Sequence, residues 1–322
     1  MENFKAMENM KRLETLCIAG AVAVLAVSCG KEEAVREDGA SKVGFTAAEL
    51  QVKTVFGEKA DGEYPVLWTS NEKVALFYNS QTGDQTGGGQ YADVLPSADG
   101  HTAGFSASFT DDGNGSHSFY AMSPLSALNW MGNEDLDGNG VNEKILYANI
   151  PPDQIPVPGT CDEKAQIVFA KEEFSEFPDK VDLTFSHMTA YGLITSLSLP
   201  EEATKIVGLT IESDKFLSGE IYCNYNTPET ILCNAKTAWK YIYLDVNNGG
   251  LKAKTLENVF FACTPQTDGN DVFGEGDYLK FTVYTDTDTW VKTVNFSADR
   301  TLAFKAGRIS SFSVSAHGFE KQ

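Results

Sequence analysis

TAGFSASFT, residues 102–110, sets Ala103, Phe105, Ala107 and Phe109 on one side and Thr102, Ser106, Ser108 and Thr110 on the other. A period of two is the mark of a half-buried β-strand, because successive side chains point to opposite faces of a sheet. The same habit spreads in both directions. Upstream, residues 43–47 (VGFTA) place Val43, Phe45 and Ala47 on one face, and residues 74–78 do the same with Val74, Leu76 and Tyr78. Downstream, residues 181–200 (VDLTFSHMTAYGLITSLSLP) keep Val181, Leu183, Phe185, His187, Tyr191, Leu193, Leu197 and Leu199 on one parity. That pattern predicts one long strand with a single apolar face, bent or bulged near Gly192. Shorter strands are expected at residues 207–211, 239–246, 259–263, 279–283, 291–296 and 308–314.

Turn chemistry separates these runs. Residues 82–89 (TGDQTGGG) and 111–115 (DDGNG) supply glycines for positive φ. Residues 150–160 (IPPDQIPVPGT) hold too many prolines for a ladder and are expected to cross the surface as an extended loop. Ser123-Pro124 ahead of LSALNWM opens one short helix, with Ser123 as its cap. No long amphipathic helix is visible. Many short strands at regular spacing argue for an all-β chain with little helix, built as β-sandwiches rather than α/β layers. The expected organisation is an N-terminal sandwich over residues 43–178, a C-terminal sandwich over 179–316 and a tail at 317–322.

The address is written at the other end. Residues 16–30, LCIAGAVAVLAVSCG, are apolar for about a dozen positions, too few for a membrane span. They follow Lys11-Arg12 and end in Ala26, Val27 and Ser28 before Cys29. This is the form of a bacterial lipoprotein signal peptide, residues 1–28, and Met10 offers an alternative start that leaves the same mature chain. Cys29 would then carry diacylglycerol and an amide-linked acyl chain such as palmitate, and burying several chains at about 0.8 kcal/mol per methylene makes the anchor durable. Residues 29–42 are polar and aperiodic, a flexible tether whose Lys31-Glu32-Glu33 resembles the export tags of surface lipoproteins.

Composition narrows the function. The net charge of −20 opposes phosphate backbones and anionic lipid, so neither nucleic acid nor a membrane surface is an expected partner. Neither G-x-S-x-G nor H-E-x-x-H occurs, and with 45 acidic residues a carboxylate pair at glycosidase spacing arises by chance. No enzyme is expected. His187, on an apolar strand face, is read as a core histidine, and His101, His117, His187 and His317 are too scattered to suggest zinc. Cys223 and Cys233 flank a turn at equal distances; a cross-strand disulfide and two buried thiols both fit. One run has metal-ligand spacing: Asp135, Asp137 and Asn139 stand at positions one, three and five of a calcium-type loop, with glycine at six, the Val141 carbonyl and Glu143 following. Leu146 replaces the usual position-twelve glutamate, so an EF-hand is excluded and a calcium ion would rigidify an isolated loop. No other cofactor is expected. Trp130, Trp239 and Trp290 are the aromatic candidates for a binding platform.

Six segments together resemble a fimbrillin, the lipoprotein precursor of the type V pili of Bacteroidales. They are VGFTA (43–47), VLWTSNEKVALFY (66–78), IPPDQ leading through GTCD to VFA (150–170), LTFSHMTAYGLI (183–194), FLSGEI (216–221) and FKAGRISSFSV (304–314). The resemblance implies two transthyretin-like (Ig-like) antiparallel, Greek-key sandwiches and a subunit of a cell-surface fimbrium that supports adhesion. It also implies assembly with other fimbrial subunits, as homo- or heteropolymer, by donor-strand exchange once a protease removes the first strand. The family's cut follows an arginine just after that strand. Here the matching position is Lys53, while Arg36 lies before the strand, where a cut would free the body without opening a groove. A lysine cut, a different protease, or a subunit that keeps its strand and stays on the outer membrane are the three options. The alternative expectation is a monomeric surface lipoprotein that binds a glycan or a host or bacterial surface through its loops.

Overall fold

The computed structural model describes residues 40–47, 55–56, 66–70, 73–135, 140–225, 227–228, 230–265, 272–299 and 301–322. Strands before residue 178 are β1 (Ala40–Ala47), β2 (Val55–Phe56), β3 (Val66–Leu67), β4 (Lys73–Tyr78), β5 (Gln90–Asp93), β6 (Leu95–Pro96), β7 (Ala103–Thr110), β8 (His117–Ser123), β9 (Leu128–Glu134), β10 (Glu143–Ile150), β11 (Asp153–Gln154) and β12 (Val168–Phe174). After it come β13 (Lys180–Leu183), β14 (Phe185–His187), β15 (Ala190–Ser198), β16 (Ile206–Ser213), β17 (Gly219–Asn224), β18 (Leu232–Cys233), β19 (Tyr241–Leu244), β20 (Thr255–Cys263), β21 (Tyr278–Thr285), β22 (Thr289–Asn295), β23 (Ile309–Val314) and β24 (Glu320–Lys321). Helix among the described residues is two 3₁₀ turns, Leu125–Ala127 and Glu163–Ala165. The first covers only LSA of the expected helical stretch, whose LNWM opens β9 instead; its cap position is Pro124 with no side-chain bond, and Ser123 ends β8. None of the described helices is long and apolar enough to cross a membrane.

The fold is all-β, as the period-two runs require. Sheet β13-β1-β7-β6 faces sheet β14-β12-β8-β4-β5 across a core of Phe45, Phe105, Phe109, Phe119, Val168, Leu183 and their neighbours. β7 alternates buried and open along its length, as its sequence does. The second sheet buries its other face too, where Phe77, Tyr120, Met122 and Phe169 meet Leu128, Met131, Leu146, Ala148 and Ile221 of sheet β18-β17-β10-β9. Covered on both sides, β8 is buried at every residue, and β4 at all but Lys73. A strand buried on both faces reads as a continuous apolar run, which is what residues 74–78 (VALFY) are.

Three further layers of chain build the C-terminal part. Sheet β11-β19-β16-β21-β22-β24 packs on β20-β15-β23 through Leu209, Ile211, Ile242, Leu244, Phe261, Phe281 and Val283. The opposite face of β15 and β20, carrying Tyr191, Leu193, Phe260 and Ala262, is closed by Cys161 and Ala165 of the segment after β11. Small β2 and β3 pair with each other.

Three sequence expectations change here. The long strand over 181–200 is three strands in three sheets: β13 runs parallel to β1, β14 antiparallel to β12, and β15 joins β20 and β23. Strands β13 and β14 thus complete the N-terminal sheets from beyond residue 178. The irregularity of β15 lies between Ile194 and Ser196, not at Gly192; Gly192 is small because a Cβ there would sit 2.0 Å from the Phe261 ring. The bulge explains the change of parity, since Tyr191 and Leu193 serve one core while Ile194 and Leu197 serve the other.

The proline-rich stretch also does more than cross a surface. Asp153 and Gln154 pair parallel with Tyr243 and Leu244, and the ladder takes only carbonyls at its outer positions: Tyr243 N–H donates to Pro152 O (2.7 Å) and Asp245 N–H to Gln154 O (2.9 Å). A proline that lacks an N–H can still accept, so it costs this ladder nothing. Buried Gln154 then turns its amide on β20: Nε2 donates to Ala262 O (2.7 Å), and Oε1 accepts from Ala262 N–H (3.0 Å). One residue therefore extends one sheet with its backbone and caps the facing sheet's edge with its side chain. Gln154→Leu, which fills the space but leaves both Ala262 groups unmatched, should destabilise by about 1–3 kcal/mol per orphaned group, measured as a lower urea midpoint; an unchanged midpoint would show that the bridge is dispensable.

Candidate functional site

β1 is an internal strand, flanked on both sides. It pairs antiparallel with β7 from Ala40↔Thr110 to Ala47↔Ala103 and parallel with β13 from Gly44↔Lys180 to Ala47↔Leu183. Its inward residues Val43, Phe45 and Ala47 are 0%, 2% and 1% exposed. Phe45 stacks on Phe105 at 5.8 Å and meets the edges of Phe109 (6.1 Å) and Phe119 (5.7 Å). On the open face Thr46 donates to the Asp182 carboxylate, and Gly44 N–H donates to Asp179 O at 3.1 Å. The strand thus fills a slot with two hydrogen-bonding walls and an aromatic floor.

Where β1 begins, opposite Thr110, the β7–β8 turn carries a polar cluster that no sequence motif announces. Tyr78 Oη donates to Asp112 Oδ1 (3.0 Å) and lies 2.7 Å from His117 Nδ1, with the Asp111 carboxylate 3.9 Å from the same nitrogen. Burial pushes the Tyr78 phenol up to about 12, and the Asn79 amide on Asp112 draws that carboxyl down to about 2. Donor atoms of Asp111, Asp112 and His117 gather within 4.8 Å. Their oxygens already serve the turn, however, taking Gly113 N–H and Asn114 N–H at 2.9 and 3.1 Å. The cluster works as a clamp on the loop at the mouth of the slot. Its signal in the sequence is the DDGNG run followed by His117, a pattern that local turn chemistry alone accounts for.

Of the residues singled out in the sequence, Cys29, Arg36, Lys53, Asp137 and Asn139 lie outside the described residues. The Asp135 loop joins β9 to β10, closed by the pair Glu134↔Glu143. Gly140 adopts φ 83°, and its N–H donates to Asp135 Oδ2 at 2.9 Å, which ties position one to position six. Val141 is 61% exposed, and Glu143 is exposed at the start of β10. His187 is a core histidine, its Nδ1 2.8 Å from Tyr191 Oη. Cys233 stands opposite Ile221, and Cys223 opposite Leu146, so the hairpin register does not set the two thiols face to face. Trp290 is buried at 3% exposure, Trp239 is 51% exposed, and Trp130 is half-buried on the outer face of β9.

No protein-family model matches the chain, and no curated protein matches it. Among solved structures it is similar to one described as a cell adhesion protein of Bacteroides uniformis, with 14% identity over 88% of this chain and 97% of the other and a TM-score of 0.48. A cell adhesion protein of Bacteroides ovatus shows 12% identity over 88% and 96%, with a TM-score of 0.47. A fimbrial assembly protein of Parabacteroides distasonis shows 10% identity over 88% and 94%, with a TM-score of 0.38.

Proposed function

We propose that this chain is a structural or anchoring subunit of a cell-surface fimbrium, delivered to the outer membrane as a lipoprotein through Cys29 and joined to its neighbours by strand exchange. The observation that supports this reading is the seat of β1. A strand whose removal would leave two unpaired walls, on β7 and β13, and empty places for Val43, Phe45 and Ala47 is a template for an extended segment of another subunit. Main-chain bonds would supply affinity and the alternate pockets would set register. Lys53 follows the strand and Arg36 precedes it. A cut at Lys53 discards both the strand and the lipid, whereas a chain intact there stays tethered at the base. The role in adhesion follows from surface display and involves no catalysis.

Surface fractions should contain oligomers that survive detergent in the cold and collapse to one band on boiling, and the polymerised subunit should begin at Thr54. Monomers alone, all beginning at the lipid-modified Cys29, would instead identify a solitary lipoprotein.

The Asp135 loop fits calcium in the same reading, as a brace on the β9–β10 hairpin. Its support is the ligand spacing through Asp137, Asn139, Val141 and Glu143, together with the Asp135–Gly140 tie. Asp137→Ala should lower the melting temperature in calcium and leave it unchanged in chelator, because a ligand stabilises only the state that binds it, while Asp135→Ala, which also removes the Gly140 bond, should lower it more in calcium than in chelator. An equal loss in both media would remove the metal from the account.

A further inference from the structure

The outer face of sheet β18-β17-β10-β9 carries aromatic rings where solvent would accept any polar residue. Register sets Tyr147 of β10 opposite Trp130 of β9 on one side and Tyr222 of β17 on the other. Ring centroids are 6.2 Å apart in the first pair and 5.5 Å in the second. Their chain neighbours Met131, Leu146, Ala148, Ile221 and Cys223 point into the core, so the three rings form a row on the far side. All three are half-buried. Gly132 allows Trp130 to lie flat, since a Cβ at that position would come within 2.3 Å of the indole.

A hollow of about 560 Å³ opens over this row, lined by Trp130 and Tyr147 with Asn129, Glu134, Glu220 and Asn234. Its size falls in the ~300–1,000 Å³ range of small-ligand sites. The polar groups are held in place beforehand. One Glu220 oxygen accepts from Asn129 Nδ2 (2.7 Å), and the other accepts from Asn234 Nδ2 (2.6 Å) and Thr237 Oγ1 (3.3 Å). Tyr147 Oη donates to Glu134 Oε2 at 2.8 Å. Burial and the Glu134 carboxylate both push that phenol up, so it stays a donor.

Flat rings beside fixed amides and carboxylates suit a molecule with one apolar face and a rim of hydroxyls. Neither lysine nor arginine lines the hollow, while two glutamates do, and the chain carries a net charge of −20. Phosphate, sulfate and sialic acid groups are therefore disfavoured, and with them nucleotides and acidic polysaccharides. We propose that this face is a binding site for an uncharged saccharide, stacked on Trp130 and Tyr147 and hydrogen-bonded through Asn129, Asn234 and the two glutamates. The site stands whether the subunit polymerises or remains alone.

The test uses the purified full chain titrated with mannotetraose, xylotetraose, cellotetraose and chitotetraose, and with sialyllactose as the charged control, by tryptophan fluorescence and calorimetry. At least one neutral probe should bind with Kd below about 1 mM. Trp130→Ala should weaken it at least about tenfold, or ~1.4 kcal/mol, with an unchanged melting curve, while Trp239→Ala leaves it intact. If Trp130→Ala does not fold, Asn129→Ala and Asn234→Ala, which both line the hollow, carry the same expectation of weaker binding. No neutral probe binding, binding indifferent to these changes, or a preference for sialyllactose would overturn the proposal. So would a Trp130→Ala protein that loses self-association where no sugar binds, which would assign the face to a protein partner. Because the readout is taken on single chains, the absence of polymers does not touch it.

Discussion

Phe45 between Phe105, Phe109 and Phe119 is the contact on which the N-terminal half depends, because it comes from a strand with neighbours on both sides. An edge strand can leave and expose one row of backbone groups. An internal strand cannot leave without opening two rows and a core. Burial of Val43 and Phe45 contributes about 3–6 kcal/mol at ~1.5–3 kcal/mol per side chain, a large part of the ~5–15 kcal/mol that holds a typical domain together. The vacancy left by such a strand would be costly to keep and strongly selective about what refills it. Both properties are what polymerisation by strand exchange needs.

The rest of the architecture protects that slot from behind. Sheet β14-β12-β8-β4-β5 is covered by the slot's sheet on one face and by β18-β17-β10-β9 on the other, so it stays fixed whatever fills the place of β1. Gln154 gives the C-terminal sandwich a comparable tie, since its backbone and amide join facing sheets. The proposed exchange would therefore replace one element and leave the packing behind it in place.

Sequence patterning made β7 and the inward face of β1 legible, because each has one wet side and the period of two survives. It failed where both sides are dry. Residues 74–78 satisfy alternation at Val74, Leu76 and Tyr78 although all five are apolar, and alternation does not report the layer that buries the other face. Residues 181–200 keep one parity across two strand boundaries, since β13 and β14 place odd-numbered residues in one core and the start of β15 places them in another. Sheet membership is a long-range property that local alternation cannot report. The prolines of residues 150–160 misled for a simpler reason: a ladder that uses only their carbonyls does not miss their N–H groups. At the candidate sites, Trp130 was visible as an aromatic residue, but its row with Tyr147 and Tyr222 exists only through strand register. Likewise His117 joins Tyr78 and Asp112 only once β4 and β8 lie side by side.

The central claim is that β1 is a replaceable keystone, and it can be tested without a cell. A chain beginning at Ala48 should be much less stable than the full protein, and a synthetic peptide of residues 40–47 added in trans should raise its melting temperature in a saturable way. The same peptide with Phe45→Asp should not. A shortened chain as stable as the full protein, or one that ignores the peptide, would contradict the account.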